Sequence, residues 1–264
     1  CGGSGDDESP SYTLQGKVVV SEGVTLTIEP GTIIKGAKGT GSLASALIVG
    51  RGGKLLAEGT ADKPIVMTSV EDNIAIGQKA GTNLTEVDNS LWGGLIVLGK
   101  APISATSGAE AQIEGIPADD SYGAYGGIDA ADNSGVIKYV SVRHGGALIG
   151  DGNEINGITL GGVGSGTVIE YVEVVGNLDD GIEFFGGSVN LSYGLVWGQG
   201  DDGYDIDQSY SGTIDGSIYI AGENSDHALE IDGPENSINA SGLFTVQNSS
   251  FKGLKGEYAD WRSN

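Results

Sequence analysis

The chain has 264 residues, 48 of them glycine and 6 proline, and a formal net charge of −23. Such a surface repels nucleic acid and attracts cations, and the 13 Lys and Arg form no basic patch, so a nucleic-acid partner is excluded. Apolar residues come in runs of three to six, far short of the ~20 that a membrane-spanning helix needs.

The only cysteine is residue 1, so no intrachain disulfide can form. The stretch after it, "GGSGDDESPS", is flexible, polar and acidic, with no core-forming residue. It resembles the mature N-terminus of a bacterial lipoprotein, in which removal of a signal peptide leaves a lipidated cysteine and a short tether. Asp6, Asp7 and Glu8 resemble the surface-export signal of Bacteroidetes lipoproteins. The resemblance implies lipid on Cys1, residues 1–12 as tether, and anchoring at the outer membrane on the cell surface.

The next segments, "VTLTIEPGTIIKG" (24–36), "ALIVGRGGKLLAEGTADKPIVMTS" (46–69) and "WGGLIVLGKAPI" (92–103), read as strand, turn, strand. Two stretches, 70–90 and 104–134, are too long and polar to belong to that rhythm and read as loop excursions. The second carries Tyr122 and Tyr125 between glycines, beside Asp119 and Asp120. Such tyrosines either bind a ligand, stacking on sugar rings, or pack the loop down.

Regularity sharpens after residue 134. "SGVIKYVSVRHGG", "SGTVIEYVEVVGN", "SVNLSYGLVWGQG" and "SGTIDGSIYIAGE" place Ile137, Ile169, Leu191 and Ile214 at equivalent points, 32, 22 and 23 residues apart. Each is followed by a second short strand. A repeat of about 22 residues built from strands and glycine turns is a solenoid. The leucine-rich pattern, helical repeats and the nonapeptide calcium roll do not fit. The expected fold is all-β: a right-handed parallel β-helix over residues 13–250, its inward Val, Ile and Leu stacked about 4.8 Å apart, with 251–264 as a cap or following segment. Trp92 and Trp197 read as wall packing, and His144 as a turn residue.

The phrases "TIEPGTIIKG", "GGKLLAEGTADKPIVMTS", "WGGLIVLG", "SGVIKYVSVRHGG" and "DDGIEFFGG" resemble those of right-handed parallel β-helix surface proteins of Gram-negative bacteria, pectin-lyase-like solenoids. The resemblance spans roughly residues 18–250 and implies fold and location, but little about activity.

Carboxylates recur in "NLDDGIEFFGGS", "GQGDDGYDIDQS" and "NSDHALEIDGPE". In a solenoid Glu183, Asp205 and Glu230 fall in one column, and Phe185, Asp207 and Asp232 in another. Turn chemistry accounts for Asp179, Asp180, Asp201 and Asp202, with each Asp bonding its own backbone amides. It does not account for Asp205, Asp207, Glu230 and Asp232, which are expected as an outward acidic patch that binds calcium or a cationic partner. Glu183 is grouped with Tyr122 and Tyr125 as candidate ligand-binding residues. Polygalacturonase-like glycosidases share the fold, and Asp201, Asp202, Asp226 and His227 would be the acid and base of such an enzyme. Their Asn-Thr-Asp, Gly-His-Gly and Arg-Ile-Lys motifs are missing. The expected function is therefore a non-catalytic surface module that binds a glycan or an outer-membrane protein, with a polysaccharide-degrading enzyme as the alternative.

Overall fold

The computed structural model describes residues 10–117, 120–149, 154–234, 243–254 and 258–260. Cys1, Asp119 and Trp261 lie outside the described residues. The expected architecture holds: the chain winds a right-handed parallel β-helix with three walls, every stacked pair being parallel. One wall is a sheet of seven strands, from Lys17–Val20 through Ala46–Val49, Leu95–Leu98, Ile158–Gly161, Ile182–Phe185 and Tyr204–Asp207 to Leu229–Gly233. It is called the B wall below.

The other two walls form a single sheet of thirteen strands. The reason is two long strands, Gly135–Arg143 and Val168–Val175, that bend from one wall into the next without a break. Gly135–Arg143 shows this directly, because its first half pairs with Lys54–Glu58 and its second with Ile65–Ser69. The wall of the first halves is the A1 wall and that of the second halves the A2 wall. The first strand, Ser11–Leu14, pairs with Ile33–Gly36, and the last, Ser250–Lys252, pairs with Ile218–Ile220. The solenoid thus begins inside the stretch expected as tether and reaches into the one expected as cap.

The bore is filled as alternation requires. Ile137, Ile169, Leu191, Ile214 and Val246 stack in register on the A1 wall, the first four at most 2% exposed. Leu95, Ile158, Ile182 and Tyr204 oppose them from the B wall. Trp92 is fully buried, and its indole N–H donates to the Arg143 carbonyl at 2.7 Å. Trp197 instead sits on the outer surface at 38% exposure.

Both expected excursions leave the rod, at 70–94 and 99–134, and a third insertion at 144–157 enters the B wall from the same corner as the first. The second carries an antiparallel pair, Glu110–Gln112 with Ala124–Gly126. The described residues of the second and third insertions lie on the outer face of the B wall. Ile103, Ile113, Ile116, Tyr125, Ile149 and Ile155 pack there on Ile48, Ile96, Leu98 and Phe185, forming a second core outside the bore.

Candidate functional site

The B wall's outward column reads Val19, Ile48, Ile96, Thr159, Glu183, Asp205, Glu230 from one end to the other. It turns from apolar to acidic midway. The first column expected for the carboxylates therefore forms as expected. The second breaks at a bulge after Ile206, where Asp207 pairs with Gly233 instead of Asp232. An extra residue on one strand breaks the register there.

The corner before each of these strands carries the Asp pairs. Asp180 Oδ1 accepts the Asp202 amide at 2.9 Å, and Asp202 Oδ1 accepts the His227 amide at 2.5 Å. Asp180 and Asp202 thus bond the next coil's backbone, whereas Asp179 keeps the local bond expected of a turn, to the backbone of Asp180. A ladder of this kind ties coil to coil where the parallel strands have ended. Asn177, wholly buried in the same corner, donates to the Ile155 and Asp180 carbonyls, both at 3.0 Å.

Below the corner the carboxylates converge. Oxygens of Asp180, Glu183 and Asp205 lie within 4.8 Å of one another, and so do those of Asp179, Asp180 and Asp201. Asp180 joins the two groups into a chain of five acids. Asp180, Glu183 and Asp205 are buried, Asp179 is half-buried and Asp201 is exposed. The carboxylates expected as an outward acidic patch do face outward, but Asp205 and Asp207 are only 8% and 7% exposed, since the outer face of this wall is covered. Glu230 and Asp232, on the last coil, are half-buried.

Burial without counter-charge sets the electrostatics. Asp205 is pushed up to about 7, first by desolvation and then by Glu230 and Asp232. Asp179 is also pushed up to about 7, by desolvation and by Glu114, Asp201 and Glu154. Asp180 and Glu183 are raised well above the usual carboxylate range, again by desolvation first and then by Asp205. Glu114, from the covering insertion, is raised by burial and by Glu154. Among the described residues, no Lys or Arg is ion-paired with any of the five acids.

The residues expected as catalytic come together only in part. His227 Nδ1 lies 3.4 Å from Asp202 and 3.5 Å from Asp226. Asp202 is 2% exposed and already committed to the His227 amide, and Asp201 leans toward the acid chain. The tyrosines expected as a ligand platform pack the insertion down. Tyr125 is 2% exposed, meets Phe185 edge-on at 6.0 Å, and its hydroxyl bonds Gln208 Oε1 at 3.0 Å. Tyr122 is half-buried against the same apolar cluster and donates to Asp120 at 2.6 Å.

A different set of tyrosines is presented to solvent. Tyr139, Tyr171 and Tyr193 stack at the A1–A2 corner with ring centroids 4.6 Å apart and interplanar angles of 3° and 16°. All three have positive φ, 49°, 52° and 59°, and Gly216 and Asn248 continue the column at 63° and 54°. Beside the stack lies a groove of about 310 Å³ lined by Tyr139, Tyr171, Tyr193, Arg143, Glu173 and Leu195, among others. Arg143 is locked there: Nη2 meets Glu173 Oε1 and Nε donates to Ser141 Oγ, both at 2.6 Å. The sequence carried the signal, because each tyrosine falls two places after a stacked core residue, Ile137, Ile169 or Leu191.

The family described as "Pectate-lyase like beta helix domain" matches residues 6–255, and the chain belongs to it. Comparison with curated proteins and with solved structures found no match.

Proposed function

Taking membership of the pectate-lyase-like β-helix family as the premise, we propose that the protein is a non-catalytic glycan-binding module whose ligand lies in the A2 groove beside Tyr139, Tyr171 and Tyr193. The observation that carries this reading is the stack itself. Rings held face to face lose little side-chain freedom when a ligand arrives, so their edges and hydroxyls form a preorganised row. The repeat along the row is fixed by the coil spacing, which suits a ligand that is itself a repeating chain. The Arg143–Glu173–Ser141 cluster adds fixed donors and acceptors along the same groove. The acids that lie closest together are buried beneath the insertions, where a polysaccharide chain has no access, and this weighs against catalysis by them.

Affinity electrophoresis in gels containing neutral and acidic polysaccharides tests the reading. The wild type should be retarded by at least one of them. Replacing Tyr139, Tyr171 and Tyr193 by Phe keeps the stack and removes the hydroxyls, and should weaken retardation about tenfold, the loss of one to two hydrogen bonds. Equal retardation of the triple variant and wild type would place the ligand elsewhere. Release of reducing or unsaturated ends that disappears in His227→Ala would replace this reading by the enzymatic one.

A further inference from the structure

We infer that the open end of the tyrosine stack, at Tyr193, is a sugar subsite that takes one pyranose carrying no acidic group; the inference rests on the glycan-binding reading above and names the class of sugar. One face of the Tyr193 ring lies on Tyr171, with centroids 4.6 Å apart. Among the described residues no ring covers its other face. Gly216 stands on the next coil where a fourth ring would be, at φ 63°, and a Cβ there would come within 2.9 Å of the Tyr193 ring. Tyr193 is accordingly 51% exposed, against 38% for Tyr171. The stack is left one layer short, over a floor that has no side chain.

The surroundings of that face divide by polarity. On the A2 side stand Leu195, half-buried and part of the groove, and Ile218, exposed and in register with it. On the A1 side stand Ser192 and Asp215, also in register, and Asn248 from the coil beyond donates its Nδ2 to Asp215 Oδ1 at 2.8 Å. A pyranose has the same division, with apolar C–H faces and hydroxyl edges that donate and accept. Its C–H face suits an aromatic face, whose quadrupole is negative. Its hydroxyls suit a carboxylate and an amide that already hold each other in place, because little freedom is left to lose. The same features reject a uronate. Asp215 and the ring face both repel a carboxylate, and the net charge of −23 repels a polyanion at longer range. The cations beside the stack are already paired, Lys138 with Glu170 at 2.9 Å and Arg143 with Glu173 at 2.6 Å.

The test is isothermal titration of the full chain with hexasaccharides of glucose, xylose, mannose and glucosamine, with hexagalacturonate as the acidic control. At least one of the first four should bind, and hexagalacturonate should not. Tyr193→Asn removes the ring face but keeps a residue that tolerates the left-handed backbone, as Asn248 does two coils on. Its affinity should fall at least about tenfold, and further than that of Tyr193→Phe, which keeps the face. Gly216→Asn fills the missing layer and removes no binding group, yet it should weaken binding as Tyr193→Asn does. Thermal midpoints show that each variant is folded. Binding of hexagalacturonate alone would overturn the class of sugar. Binding that survives both Tyr193→Asn and Gly216→Asn but is weakened in the triple Phe variant would overturn the subsite and leave the groove standing. Absence of binding by all five, together with no retardation in any gel, would remove the groove reading and this subsite with it.

Discussion

His144 shows how much one residue's surroundings decide. It sits at the corner before the third insertion with φ 60°, a conformation that disfavours most side chains. It is 4% exposed and its Nδ1 lies 2.7 Å from the Asp88 carbonyl. A carbonyl only accepts, so Nδ1 carries the proton and ties the 70–94 excursion to the rod. A second proton would have to go on Nε2. Burial opposes it most, and Arg143 adds to the opposition, while Asp88 and Asp72 pull the other way; the net effect lowers the pKa. The sign follows. An unfolded histidine titrates near 6.5, so below that pH the unfolded chain binds the proton that the folded one refuses. The stability is complete above about 6.5 and is lost as pH falls through the lower folded value. Replacing His144 by Asn, which tolerates this backbone region, should remove that dependence. Wild type should lose more stability than the variant between pH 7 and pH 5 in urea titrations, and parallel pH profiles would refute the assignment. The sequence showed His144 as a turn residue beside two glycines. It could not show the partner, because Asp88 is 56 residues away and the contact depends on where an irregular excursion lands.

At the scale of elements, strand alternation served the bore and misled at its corner. Ile137 and Tyr139 are two apart, which in an extended strand puts them on one face. A single left-handed residue at Tyr139 turns the chain from one wall to the next and throws its ring outward. The same happens at Tyr171 and Tyr193, so three aromatic residues that alternation assigns to the core make an outer ladder. Two energies compete there. A non-glycine residue in this region costs roughly 1–2 kcal/mol, while each aromatic pair returns ~0.5–1.5 kcal/mol beyond its buried area. Tyr171, in the middle, makes two such pairs. Tyr171→Ala should therefore lose both contacts and keep the backbone cost, destabilising by about 1–3 kcal/mol. Tyr171→Gly loses the same contacts and relieves the strain, so it should be the milder change by ~1 kcal/mol. Urea unfolding of the pair decides, and an alanine variant as stable as the glycine one would mean that the stack does not offset strain. Gly216 fits the same balance from the other side: the column stops being aromatic where a glycine takes the left-handed position under Tyr193.

For the molecule as a whole, the central fact is that one wall has a core on each side. The reason was written in the strands. "ALIV" and "LIVL" are apolar without interruption, as strands buried on both faces are, whereas "YDID" alternates and "IEFF" carries one outward carboxylate. Reading those runs as both-face burial would have required a cover; of the two insertions that supply it, one was legible only as a polar stretch of excess length, and 144–157 did not read as an excursion at all. Their few apolar residues, Ile103, Ile113, Ile116 and Tyr125 among them, are spaced without helix or strand period, so nothing local said which surface they would meet. The same cover explains why the first acid column, aligned from sequence, ends up buried at Glu183 and Asp205, whereas the second loses its register at the bulge after Ile206. Deleting the cover should separate these roles. Replacement of residues 104–133 by a short Gly-Ser linker leaves the bore intact, since its stacked residues come from the walls. It uncovers Ile48, Ile96, Leu98 and Phe185 as one exposed apolar face, which favours dye binding and self-association. The variant should keep the far-ultraviolet circular dichroism of a parallel β-helix, bind a hydrophobic dye strongly, and elute as dimers or larger species. It should also bring Asp205 back toward the ordinary carboxylate range, because desolvation is the first cause of its displacement. A monomeric, dye-silent variant would mean that the outer apolar face does not depend on this insertion for its burial. Loss of the β-helix spectrum would mean that bore and cover fold as one unit rather than as rod and lid.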